Sequence, residues 1–72
     1  MTTTKIELTL TVDSEADAGY IKTKPGDRSV ARTIPIQDKN DHLYGTIDLA
    51  ADGTLLGIEI LGVKKLLPSA NT

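Results

Sequence analysis

Cysteine, phenylalanine and tryptophan are missing from these 72 residues, and Tyr20 and Tyr44 are the only aromatics. Without cysteine, neither a disulfide framework nor a thiolate metal site can hold the chain together. Without large aromatics the core has to be aliphatic, drawn from seven Ile, nine Leu and three Val. No apolar run approaches the roughly 20 residues that span a bilayer. The opening Met1-Thr2-Thr3-Thr4-Lys5 leads into alternation, not into the apolar stretch of a signal peptide. A cytoplasmic protein with no membrane partner is the expectation. A dominant charge is lacking too: eight basic and ten acidic residues are interspersed, the net charge is −2, and Lys64-Lys65 is the only adjacent basic pair. Nucleic-acid binders carry a clustered basic face, so no nucleic-acid partner is expected.

What is present suits one small β-rich domain spanning residues 1–72, with 1–4 and 69–72 expected to be disordered. Burying an aliphatic side chain yields about 1.5–3 kcal/mol, and ordering each residue's backbone costs about 1–2 kcal/mol. For a chain this short the two nearly cancel, and small domains often escape by oligomerising. A homodimer or larger assembly is therefore expected.

The pattern is clearest in residues 47–61, I-D-L-A-A-D-G-T-L-L-G-I-E-I-L. Asp52-Gly53 is the turn signal of a two-residue type I′ hairpin. With that turn at the tip, Ala51 pairs with Thr54, Leu49 with Leu56, and Ile47 with Ile58. The aliphatics then share one face, which Ile60 continues, and a slip of one residue would scatter them. Upstream, Ile6, Leu8, Leu10 and Val12 alternate with polar residues, as a half-buried strand does. With Ser14-Glu15 as its turn, Leu10 faces Gly19 and Leu8 faces Ile21 on a second strand over residues 17–22. A helical turn over residues 14–18 is the alternative, capped by Asp13 or Ser14. Lys24-Pro25-Gly26-Asp27 marks another turn. A third strand over residues 29–36 has Val30, Ile34 and Ile36 inward, and Pro35 suits an edge strand or strand end. After a polar loop over residues 37–42, Leu43 opens the fourth strand. Residues 62–67 suit one or two helical turns ended by Pro68, with Val63, Leu66 and Leu67 on one face. The expected architecture is mainly β, an α+β antiparallel meander of about five strands with a short C-terminal helix. That helix is too short to cover the apolar face, and an uncovered face marks an interaction site.

Two segments carry a family resemblance. D-S-E-A-D-A-G-Y-I (13–21) and D-L-A-A-D-G-T-L-L-G-I-E-I-L (48–61) resemble the opening and closing motifs of domain-of-unknown-function family 2283, a set of small, mostly bacterial proteins. R-T-I-P-I (32–36) sits where that family places a similar strand. The resemblance implies a small β-rich fold, no assigned activity, and partnership with small toxin-like proteins as one conceivable role. Gly19 departs from it, since the family commonly has Leu there.

Chemistry-bearing residues are few. Asp13, Glu15 and Asp17 could offer oxygen ligands to a hard cation, but the Gly and Glu that complete a calcium loop are not at their positions. The preferred alternative has Asp13 capping the turn and Asp17 pairing with a Lys or Arg. Glu59 interrupts an aliphatic strand between Leu55 and Leu61, where a carboxylate is costly unless paired and is a functional candidate. A salt bridge to Arg32 or Lys22, or across a dimer interface, is preferred. His42 lies in a polar loop without converging ligands, and no serine sits in a nucleophile motif. Gly57 has no turn to explain it and marks a close approach. The sequence thus favours a non-enzymatic module that binds itself through Leu55, Leu56, Ile58, Ile60 and Leu61, with no catalytic residues and no cofactor. The alternatives are a weak metal- or small-ligand-binding protein that uses the acidic residues, and an antitoxin-like partner of another small protein.

Overall fold

The computed structural model describes residues 2–23 and 28–71. The expected turn at Lys24-Pro25-Gly26-Asp27 lies outside the described residues, as do Met1 and Thr72. Five strands form one antiparallel sheet: β1 (Thr9–Asp13), β2 (Ala18–Lys22), β3 (Arg32–Gln37), β4 (Leu43–Leu49) and β5 (Leu55–Leu61). A short helix α1 (Val63–Leu66) follows, then a 3-10 helix, Pro68–Asn71. The fold is mainly β with a small C-terminal helix, as the alternation predicts. The order across the sheet is β1-β2-β5-β4-β3. Strands β3, β4 and β5 are a meander, and the β1–β2 hairpin docks on the free side of β5, which becomes the central strand. No helix among the described residues is long and apolar enough to cross a membrane.

The β4–β5 hairpin keeps Ile47 opposite Ile58, but near the tip the expected register changes: Leu49 faces Leu55, not Leu56. The turn is not type I′. The Gly53 N–H donates to the Ala50 carbonyl and the Ala50 N–H to that of Thr54, so Ala51 and Asp52 are the turn's central pair. Only Gly53 has positive φ there, at 90°, as in a type I turn closed by a left-handed glycine. Asp52 instead receives the Thr54 N–H on its carboxylate, 3.0 Å away, which favours the longer loop. That loop adds one residue, and a bulge that leaves Leu56 without a partner on β4 takes it back. Every later side chain therefore stays on its intended face.

The first hairpin differs by two residues. Leu10 faces Ile21 and Val12 faces Gly19, in place of Leu8 with Ile21 and Leu10 with Gly19. An even shift preserves the faces. Its cause is a four-residue loop, 14–17, in which the Asp13 carboxylate accepts the N–H groups of Glu15 and Ala16 and Asp17 adopts φ 52°. Asp tolerates that conformation better than most residues.

Strand β1 begins at Thr9 and not near Ile6, and β3 begins at Arg32 and not near Ser29. Val30, expected inward, is 51% exposed. In α1 only Val63 is buried, while Leu66 is exposed. With one turn of helix, the three apolar residues cannot all reach the sheet.

Candidate functional site

The sheet registers bring aliphatic residues from all five strands into one transverse row. Leu10 faces Ile21, Ile21 faces Ile58, Ile58 faces Ile47, and Ile47 faces Ile34. The neighbouring row on that face is Val12, Gly19, Ile60, Gly45 and Ile36. Neither row contains a charged side chain. Val63 alone comes over this face from α1: a Cβ at Gly19 would stand 3.1 Å from Val63 and 3.1 Å from Leu10. The glycine where the resemblance implies leucine thus makes room for the helix. Elsewhere the margins of the face are exposed, at Leu10, Ile34 and Ile36, and its centre at Ile21, Ile47, Ile58 and Ile60 is half-buried. Among the described residues, the buried hydrophobic core consists of Ala50, Leu56 and Val63.

The opposite face is polar and braced. The Tyr20 ring lies across Gly57, where an added methyl would collide with the phenol, so the close approach expected at Gly57 is made by Tyr20. The Tyr20 hydroxyl donates to Asp48 Oδ2 at 2.8 Å, and the Thr33 hydroxyl donates to Asp48 Oδ1 at 3.0 Å. One carboxylate thereby ties β2, β4 and β3 together across β5. Burial, then the hydrogen bond to Asp48, pushes the Tyr20 phenol above its ordinary range. The sequence held half of the signal for this brace, a mid-strand glycine with no turn to explain it. It was unusable until β2 was known to lie beside β5.

Of the expected interface residues, Ile58 and Ile60 lie in the two aliphatic rows and, like Leu55 and Leu61, are half-buried. Leu56 is 8% exposed and belongs to the small core. Glu59 stands between Tyr20 and Thr46 on the polar face, half-buried. It receives no ion pair from Arg32 or Lys22 among the described residues. Glu59, Asp13 and Thr11 line a shallow depression of about 260 Å³ with Tyr20.

The acidic run serves the backbone. Asp13 caps the first turn, as preferred above. Asp17 turns its acceptors to the backbone: its carboxylate accepts the Lys64 N–H at 3.0 Å, and its carbonyl accepts those of Gly62 and Val63. It therefore caps α1 from a distant part of the sequence, satisfying donors that the helix leaves over. Glu15 is exposed. No group of three or more His, Asp or Glu side chains among the described residues is placed to hold a metal ion.

A second loop has a similar build. Asp38 accepts the N–H groups of Asn40 and His42 on Oδ1 and the Tyr44 hydroxyl on Oδ2. The Asn40 N–H first, and then the His42 N–H, hold this carboxyl below its usual range. The His42 and Tyr44 rings meet edge to face at 4.5 Å. Together with Asp17, Lys65 and Leu66 they border an open cleft of about 610 Å³. The residues of this loop read only as polar linker in the sequence.

The family model described as "Protein of unknown function (DUF2283)" matches residues 10–64. No curated protein and no solved structure matches the chain.

Proposed function

The chain belongs to the DUF2283 family, and with no activity attached to that family we propose from the fold that it is a non-enzymatic protein-interaction module that self-associates through its open aliphatic face. The row Leu10–Ile21–Ile58–Ile47–Ile34 carries this reading, because the folded monomer leaves Leu10 and Ile34 exposed at its ends and Ile21, Ile58 and Ile47 only half-buried between them. A core of three buried hydrophobic residues is too small to hold a domain of this size by itself. The face must therefore be covered whenever the chain is folded. A second copy is the partner always present at matching concentration, and it meets no charge in the two central rows. Two such sheets can stack about 10 Å apart with their aliphatic rows interdigitated. A cytoplasmic setting accords with the lack of cysteine.

Sedimentation velocity over a dilution series tests the proposal. The wild type is expected to associate, and Ile34→Asp or Ile47→Asp to weaken face-to-face association by at least about 100-fold, since each puts a charge on both sides of an apolar contact. Ile34 stands on an exposed edge strand, so its substitution leaves the monomer's own packing largely alone. A wild-type chain that sediments as a 7.7 kDa monomer at every concentration overturns the reading.

A further inference from the structure

The two edges of the sheet are unlike. Strand β3 carries Pro35 in its middle, where proline removes the N–H that an incoming strand would need. Strand β1 at the other edge has no proline and no lysine. Its ladder stops at Thr9 opposite Lys22. Upstream, residues 2–8 make no strand and no backbone hydrogen bond among the described residues. Yet their alternation continues that of β1 without a break, so that in an extended conformation Ile6 and Leu8 would extend the apolar face and Lys5 and Glu7 the polar one. Ile6 is 77% exposed and Leu8 49% exposed. An unpaired, β-patterned arm beside an unguarded edge is a template for strand addition.

We propose that this arm pairs antiparallel with the same arm of a second copy, about a two-fold axis at Ile6. The inference rests on the self-association proposed above and adds a second contact, edge to edge. Charge complementarity selects the register. Pairing about Ile6 sets Lys5 of each copy opposite Glu7 of the other, both on the polar face, while Ile6 meets its own counterpart on the apolar face. Thr9 and Leu10 of β1 then fall opposite Thr3 and Thr2 of the partner arm. Such a contact is isologous, each residue meeting across the axis the one that meets it in return. Two sheets become one continuous sheet, and their aliphatic rows merge into a face of double width. Stacking two of these double sheets through their apolar faces closes an assembly of four chains.

Sedimentation velocity on four proteins separates the two contacts. Wild type is expected as four chains. Ile6→Pro removes an arm N–H at the axis, and two chains held face to face should remain, with the thermal midpoint showing that the fold survives. Lys5→Glu places like charges opposite each other at two symmetric positions and should weaken the edge contact roughly tenfold. The double variant Lys5→Glu/Glu7→Lys restores opposite charges and should restore four chains. An Ile6→Pro protein as large as wild type overturns the arm pairing while face-to-face association stands. A double variant no better than Lys5→Glu overturns the register. A wild-type monomer overturns both contacts.

Discussion

The two faces of this sheet are built from the same strands in different ways. One is an aliphatic surface over which α1 lays Val63. The other is cross-linked within itself, with Tyr20, Asp48 and Thr33 spanning four strands over a glycine. Hydrogen bonds fix geometry because they are directional, whereas apolar contact depends mainly on the area removed from water. The polar face therefore holds the sheet's shape within one chain, and the apolar face is the one through which the proposed self-association would run. The brace orders the sheet from the polar side, so the aliphatic face is held in shape without cross-links of its own.

Making the same glycine substitution on each face is the most severe test of this difference. Gly57→Ala drives a methyl into the Tyr20 ring and hydroxyl, and should cost about 2–3 kcal/mol, as overpacking does where neighbours cannot yield. Gly19→Ala meets only the side-chain ends of Leu10 and Val63, at 3.1 Å each, and Leu10 is exposed enough to move. Its effect should stay within about 1 kcal/mol, since the less flexible unfolded chain offsets part of the crowding. Urea denaturation of the two variants at equal protein concentration measures both. Equal costs would mean that the faces are equally packed.

A milder change removes one hydrogen bond from the brace. Tyr20→Phe should destabilise by about 1 kcal/mol without altering how the protein sediments. The same residue adds an alkaline signature. Its pKa is raised in the folded chain above the ordinary 10.0, so the stability it contributes is complete below pH 10 and is lost as the pH climbs through the raised value. Thermal midpoints from pH 9 to 11.5 should fall more steeply for wild type than for Tyr20→Phe, and parallel curves would remove Tyr20 from the account.

The smallest expected effect is at low pH, and it belongs to the loops rather than to either face. The Arg28 guanidinium, 2.6 Å away, and then the Thr54 N–H hold the Asp52 carboxyl far below its ordinary 3.8. Asp38 is lowered as well, by the Asn40 and His42 amides. Both contributions are present above the ordinary carboxylate pKa and fade as the pH falls through the lower folded values. Asp52→Asn should flatten the acid limb of a stability profile between pH 5 and pH 2 only slightly, because its partners are exposed and screened. An acid limb unchanged in Asp52→Asn would place the titrating group elsewhere.

Local sequence alone determined the strands with clean alternation, the short helix stopped by Pro68, the aliphatic face and the pairing of Ile47 with Ile58. Those features follow from side-chain periodicity and turn chemistry, which act over a few residues. It also marked Gly57 as a place of close approach without saying what approached. Tertiary structure decided the rest. Whether Asp52 takes positive φ depends on what its carboxylate can reach, so the hairpin's true turn and its compensating bulge were not legible in D-G. The role of Asp17 depends on α1 arriving 47 residues later in the chain, and the brace through Tyr20 depends on β2 lying beside β5. Proximity between distant segments is set by how strands are ordered in the sheet, and alternation within a strand carries no information about its neighbours.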